Sequence, residues 1–146
     1  MQVNIKQIEG VTFIGKADSN HWVTIDGPKT YFGSEAASRP MELLLISLGA
    51  CTASDVASIL KKKRVDLQHF EVNLTGERAE DHPKVFTTIH IEYLFTGEDI
   101  KKEDVERAIE LSQQRYCPIS SMLSLSVKIT SSYKIRNINW DNTYGQ

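Results

Sequence analysis

The stretch Arg39-Pro-Met-Glu-Leu-Leu-Leu-Ile-Ser-Leu-Gly-Ala-Cys51 begins the clearest helix in the sequence. Pro40 stands at the first helical position, where a proline loses no hydrogen bond, and Glu42 complements the helix dipole. Apolar residues recur at helical spacing from Leu44 to Leu60, and the first two turns are apolar on every face. A helix of this kind is buried on all sides. We therefore expect it to be central in the domain, or to be covered by a second subunit.

Strand patterns precede this helix. Residues 3–8, 11–14 and 21–25 alternate or are rich in β-branched residues, and Gly and Pro close them, so three short strands are predicted. Residues 27–39 contain few large aliphatic side chains and are rich in Gly, Ala and Ser. We interpret this segment as a mobile loop.

Two longer strands, a helix and a last strand follow. The runs over residues 70–75 and 85–95 flank Asp81-His82-Pro83, which predicts an antiparallel hairpin with one solvent-facing side. One face of the second run is expected to hold Val85, Ile89, Ile91, Tyr93 and Phe95. A second helix is predicted over Lys102–Tyr116, with a buried stripe formed by Val105, Ala108, Ile109, Ser112 and Tyr116. The last strand alternates Leu125, Val127, Ile129, Tyr133 and Ile135, and residues 137–146 look frayed. This order predicts an α+β fold with antiparallel pairing.

Length and composition narrow the class of protein. The 146 residues fit one domain, residues 1–146, and 40% apolar with 25% charged residues is a globular composition. With 17 basic against 19 acidic residues, the chain has no electrostatic footprint for nucleic acid or for an anionic membrane. No signal peptide is visible at the N-terminus, and the apolar run Leu43–Cys51 is shorter than the ~20 residues of a membrane span. We expect a cytoplasmic protein, with its thiols kept reduced.

The two cysteines are the residues most suited to chemistry. Cys51 flanks the apolar stripe of the first helix, and Cys117 lies where Pro118 breaks the second. They are 66 residues apart, which excludes a Cys-x-x-Cys motif and half of a zinc ribbon. From the residues alone, two readings stay open: a reactive thiol pair, or two small buried hydrophobic residues.

A reactive thiol needs a nearby cation, a helix N-terminus or a metal. Cys51 lies roughly 16 Å along the helix from Pro40, beyond the reach of the dipole. Asp55, one turn later, would raise the thiol pKa if both groups are desolvated. Locally, Cys117 is better placed, since it would cap a helix that restarts at Pro118. Cations that the fold could bring to Cys51 are Arg39, Arg115, Lys16 and Arg78.

Other polar residues have simpler readings. Glu42 is either a partner for an arginine guanidinium or a carboxylate that complements the helix dipole. The histidines are His21, His69, His82 and His90. None of them is spaced at i, i+4 with another, and a Cys-His site would need them to converge with both cysteines, so we expect no metal site. The sequence contains no phosphate loop and no dinucleotide fingerprint, and we expect no cofactor.

Two motifs resemble signatures of the OsmC/Ohr family. Arg39–Cys51 resembles the first, with a proline eleven residues before a helix cysteine, and Tyr116-Cys-Pro-Ile-Ser120 resembles the second. The likeness extends from about Val3 to Ile135, and the closest branch looks like the YhfA-like proteins. It implies an OsmC-like fold in which an intertwined homodimer packs two central helices between sheets, with the active sites at the dimer interface.

The resemblance also implies a thiol peroxidase. Cys51 would attack a small-molecule organic hydroperoxide, Cys117 would resolve the sulfenic acid, and a dithiol reductant would reset the disulfide. Arg39 and Glu42 would complete the catalytic set. The chain departs from the pattern at Met41, where the peroxidases have a glutamate, and in its N-terminal hairpin, which offers Lys16 but no arginine. The alternative is a non-enzymatic dimeric member that binds an apolar small molecule or senses redox state.

Overall fold

The computed structural model describes residues 1–138, which divide into two compact units. The first unit is Met1–Ile46 and the second begins at Ser47. The predicted frayed tail falls mostly on residues 139–146, which lie outside the described residues. Each unit contains one three-stranded sheet, so the predicted α+β class is confirmed.

The first unit contains the three short strands that the sequence predicts. β1 (Val3–Glu9), β2 (Thr12–Ala17) and β3 (Trp22–Ile25) pair antiparallel in that order. A 3₁₀ turn over Lys29–Tyr31 follows.

The loop predicted over residues 27–39 is anchored at Asp26. The Asp26 carboxylate accepts hydrogen bonds from the backbone N–H groups of Gly27, Ser34 and Ala36, at 2.7 to 3.2 Å. The Thr12 hydroxyl donates a fourth bond to it, at 3.0 Å. The start of this loop is therefore held by a buried carboxylate, and its predicted mobility stays a prediction.

The central helix forms as predicted, but its buried face begins later than expected. α1 spans Pro40–Lys62, and its buried residues are Leu48, Gly49, Thr52, Val56 and Leu60. In the first turns Ile46 is 55% exposed, so the expectation of burial on every side is wrong for a single chain. By length and composition alone α1 could cross a membrane, a property that it shares with core helices of soluble proteins.

The second unit contains a mixed sheet. β4 (Asp66–Arg78) and β5 (Phe86–Glu98) form the predicted antiparallel hairpin, while β6 (Lys128–Asn137) pairs parallel to β5. The prediction of purely antiparallel pairing is therefore wrong for β6. The physical reason is the connection over residues 99–127, which contains helices and can return the chain in the same direction.

A β-bulge changes which side chain starts the buried face of β5. The register shifts between Glu77 and Arg78, opposite Thr88 and Phe86. An extra residue in one strand reverses the alternation, so Phe86 is buried whereas Val85, predicted to be buried, is 54% exposed. Beyond the bulge Ile89, Ile91, Tyr93 and Phe95 are buried as predicted.

The segment predicted as the second helix consists of an α-helix followed by a short π-helix. α2 spans Lys102–Leu111, and Ser112–Tyr116 continues as a π-helix before α3, Pro118–Leu123. A π turn accommodates one extra residue. Tyr116 is consequently 49% exposed rather than on the buried stripe, and Cys117 is buried in its place. Leu125, predicted to belong to the last strand, lies before β6 and is 88% exposed.

The core of the second unit lies between the sheet and the helices. From β5 it takes Ile89, Ile91, Tyr93 and Phe95, and from the helices Leu48, Val56, Leu60, Val105 and Ala108. The Phe70 and Phe95 rings stack with centroids 4.8 Å apart. This core fixes α1 and the π turn, the two elements that carry the cysteines.

Candidate functional site

The fold brings the two cysteines together. The Cys51 Sγ, a carboxylate oxygen of Asp55 and the Cys117 Sγ all lie within 4.8 Å of one another. Cys51 and Asp55 are one turn apart on α1, so their side chains share a face. Cys117 is placed by the π turn, in which its N–H donates to the Ser112 carbonyl at 2.8 Å. Cys51, Asp55 and Cys117 are called the thiol site below.

The two thiols differ in exposure. Cys117 is 2% exposed, whereas Cys51 is half-buried. Cys117 is the N-cap of α3, as the sequence predicts, and its Sγ accepts a hydrogen bond from the Ser120 N–H at 3.3 Å. A molecule arriving from solvent therefore meets Cys51 first.

The surroundings of Cys51 favour its neutral form. Burial, followed by the contact with the Cys117 thiol, raises the pKa of Cys51 to about 11. The negative charge of Asp55 contributes to this rise in the pKa, as expected from the sequence, and only the Ile119 backbone N–H opposes the shift. Within residues 1–138, no lysine or arginine is among the groups that perturb this thiol.

A buried network of hydroxyl groups supports the site, and sequence reasoning missed it. The Thr52 hydroxyl lies 2.6 Å from the Tyr93 Oη and 2.9 Å from the Ser112 Oγ. Ser112 in turn donates to the Asp55 carboxylate at 3.0 Å. Thr52 and Ser112 are polar residues on otherwise apolar helix stripes, which was the available signal, because a buried hydroxyl needs a partner.

A surface groove of about 370 Å³ reaches Asp55. Its walls also include Ser58, Ile59, Lys62, Lys63, Leu111 and Tyr116. The lining of the groove therefore combines the Asp55 carboxylate with apolar side chains and two lysines. Lys63 is engaged with Asp104 at 2.7 Å.

The cations proposed for Cys51 have other contacts in the chain. Lys16 lies 5.0 Å from the Trp22 ring centroid, Arg115 lies 5.7 Å from that of Tyr116, and the Arg78 Nε donates to the Lys84 carbonyl.

Arg39 and Glu42 form a helix cap at the start of α1. The Arg39 backbone N–H donates to the Glu42 Oε2 at 2.9 Å, which is half of a capping box. Glu42 lies about 13 Å along α1 from Cys51. The catalytic roles of these two residues stay predictions.

The histidines do not join the thiol site within residues 1–138. His90 lies on the exposed side of β5, where its ring nitrogens contact the Thr130 and Ser132 hydroxyls, both at 2.8 Å. The site residues that are close together are thus two thiols and one carboxylate.

Known proteins resemble this chain in sequence and in fold. Residues 33–132 match the family model for OsmC-like protein. The chain is 44% identical over 135 residues to Protein YhfA of Escherichia coli K12, covering 92% of this chain and 98% of that one. A hypothetical protein from Aquifex aeolicus is 31% identical and superposes with a TM-score of 0.83, covering 94% and 97% of the two chains.

A solved structure of lower sequence identity belongs to a protein that is named for a function. The organic hydroperoxide resistance protein OhrB of Bacillus subtilis superposes with a TM-score of 0.62 at 15% identity, covering 91% of this chain and 96% of that one. At this identity the likeness concerns the fold alone. Together, the matched family model and the 44% identical relative show that this chain belongs to the OsmC-like protein family.

Proposed function

We propose that the protein is a two-cysteine peroxide reductase that acts on organic hydroperoxides. The observation that carries this proposal is the pairing of a half-buried Cys51 with a buried Cys117 whose sulfur atoms lie within 4.8 Å. A disulfide needs the two sulfurs about 2.05 Å apart, so a small side-chain movement closes the bond. The fold that it shares with a hydroperoxide resistance protein supports the same chemistry.

The reaction proceeds in three balanced steps. The Cys51 thiolate attacks one oxygen of the O–O bond and becomes a sulfenic acid, while the other oxygen leaves as an alkoxide and takes up a proton to form the alcohol. Cys117 then attacks the sulfenic sulfur, forming the disulfide and releasing water. A dithiol reductant transfers two electrons and two protons, restoring both thiols. Reduction of the disulfide by a dithiol is the chemistry expected in a reducing cytoplasm.

The activating cation is proposed to come from a second copy of the chain. The pKa of Cys51 is about 11 in a single chain, and a thiol peroxidase needs a thiolate near neutral pH. Ile46, in the first turns of α1, is 55% exposed, which suits a homodimer that covers this helix. Arg39, at the capped start of α1, is the arginine that we propose for this role in the dimer.

Consumption of cumene hydroperoxide by the reduced protein tests the proposal. Wild-type protein with a dithiol should consume peroxide rapidly, and Cys51→Ser should lose this activity. Cys117→Ser should perform one turnover and accumulate a sulfenic acid on Cys51, detectable by mass spectrometry. Ser54→Ala, an exposed neighbour on α1, is the matched control and should behave as wild type.

The competing candidate is a non-enzymatic binding or redox-sensing protein. The raised pKa of Cys51 favours it, and the 370 Å³ groove offers a place for a small molecule. Peroxide consumption that is equally slow in wild type and Cys51→Ser would contradict the reductase and support this candidate.

A further inference from the structure

We infer that the reduced thiol site binds a thiophilic divalent cation, with Zn²⁺ as the best match, through Cys51, Asp55 and Cys117. The inference does not rest on the proposed reductase activity, because metal binding needs no peroxide. It also revises the expectation from the sequence, which considered only histidines as metal ligands beside the cysteines.

The donor atoms have the spacing that a metal site needs. Two sulfurs and one carboxylate oxygen lie within 4.8 Å of one another. In a tetrahedral zinc site the Zn–S and Zn–O distances are about 2.3 Å and 2.1 Å, so neighbouring donors lie about 3.5 to 3.8 Å apart. The three side chains therefore need to close by about 1 Å, which side-chain rotation can provide.

The elements that carry the donors are held independently of a metal. Cys51 and Asp55 project from one face of α1, whose neighbours Thr52 and Val56 are fully buried. The Ser112 hydroxyl donates to Asp55, and such outer hydrogen bonds orient ligating carboxylates. The Ser120 N–H does the same for the Cys117 sulfur.

The kinds of donor at the site also suit a cation. Two thiols and a carboxylate converge there, and each binds a metal ion in its deprotonated form. A divalent ion would stabilise all three as anions. Thiolate donors select zinc-like ions over Mg²⁺ and Ca²⁺, and the three protein ligands leave a fourth position for water or a ligand from a second copy.

Metal binding and thiol oxidation exclude each other chemically. Binding Zn²⁺ releases two thiol protons and places both sulfurs on the metal. A hydroperoxide that oxidises the two zinc-bound thiolates takes two electrons from the sulfurs and two protons from solvent, forms the disulfide, alcohol and water, and sets Zn²⁺ free. The same residues would therefore hold zinc in the reduced state and release it on oxidation.

Titration of the full-length, reduced, chelator-stripped protein under anaerobic conditions tests the inference. Isothermal titration with ZnCl₂ should give one Zn²⁺ per chain. Co²⁺ in its place should give the intense sulfur-to-metal charge-transfer absorption and the d–d bands of a tetrahedral site. Asp55→Asn, which loses a ligand, should weaken the Zn²⁺ affinity by at least about tenfold. Ser112→Ala, which loses only the hydrogen bond to that ligand, should weaken it by about 10- to 100-fold, as for outer partners of metal sites.

Matched controls make the result decisive. Asp66→Asn removes one exposed carboxylate elsewhere, and this variant should bind zinc as wild type does. Circular dichroism checks that Asp55→Asn is folded. The inference is wrong if Co²⁺ gives no sulfur charge-transfer band, or if that band and the Zn²⁺ affinity are unchanged in Asp55→Asn. Because peroxide is absent throughout, failure here is separate from failure of the reductase proposal.

Discussion

Asp55 lies one helical turn after Cys51, and its carboxylate lies within 4.8 Å of both cysteine sulfurs. A negative charge at this distance in a half-buried site opposes formation of a thiolate. With burial as the largest cause and this charge contributing, the pKa of Cys51 in a single chain is about 11. The proposed reductase therefore needs a cation near Cys51 to form the thiolate at neutral pH.

Asp55→Asn should lower the pKa of Cys51 below its value of about 11. The amide keeps the shape and an acceptor for Ser112 but removes the charge. Since the thiolate fraction well below the pKa changes about tenfold per pKa unit, alkylation of Cys51 at pH 8 should become faster. The measurement is pH-dependent alkylation followed by peptide mass spectrometry, with a chelator present. Asp66→Asn is the charge-matched control, and an equal acceleration there would contradict a local effect.

Thr52→Val should destabilise the protein by about 1–3 kcal/mol. The hydroxyl of this buried residue contacts both Tyr93 and Ser112, and valine of similar shape leaves those buried groups with one partner fewer. Urea unfolding measures the free energy of unfolding. Ser54→Ala, whose exposed hydroxyl donates to the Ala50 carbonyl, should stay within about 0.5 kcal/mol of wild type. Equal losses in both variants would mean that the buried network contributes nothing special.

Gly76→Ala should destabilise the second unit by about 1–3 kcal/mol through overpacking. A Cβ at this position would lie 2.5 Å from the Phe86 ring, which the β-bulge turns into the core. Thermal or urea unfolding measures the loss. Adding Phe86→Leu to Gly76→Ala should cost less than the sum of the two single changes, because the smaller side chain removes the clash. Simple additivity would argue against this contact.

Asp26 should stabilise the first unit down to unusually low pH. Its backbone hydrogen bonds, that from Ala36 first, lower the pKa of Asp26 to about 2. A carboxylate with a depressed pKa contributes stability above its unfolded pKa of about 3.9, and that contribution is lost as pH falls toward about 2. Asp26→Asn should therefore be less stable than wild type at pH 7, and the difference should shrink between pH 4 and 2.

Urea midpoints at several pH values for both proteins check this prediction about Asp26. Asp18→Asn, which changes an exposed carboxylate in the same unit, serves as the control. A difference between wild type and Asp26→Asn that is constant down to pH 2 would show that the hydrogen bonds do not depend on the charge.

Much of the fold was predictable because it follows from local patterns. Each of three signals depends only on neighbouring residues: the alternation of β5, the helical repeat of α1 and the proline at position 40. The elements that these signals predicted are present. Two of the failed predictions arose where a single extra residue had shifted the phase of the alternation or of the helical repeat. The bulge beside Phe86 and the π turn before Cys117 each do this, and neither has a signature in the periodicity.

The sequence by itself determined the class of fold, the family motifs and the two cysteines as candidate reactive residues, because these depend on residue type and spacing. The family resemblance implied that the two cysteines meet. Only the tertiary structure gave the distance between them, added Asp55 to the pair and showed that Thr52, Tyr93 and Ser112 support the site. These contacts join residues up to 66 positions apart. Their geometry depends on how α1 packs against β5 and the π turn, which no local pattern encodes.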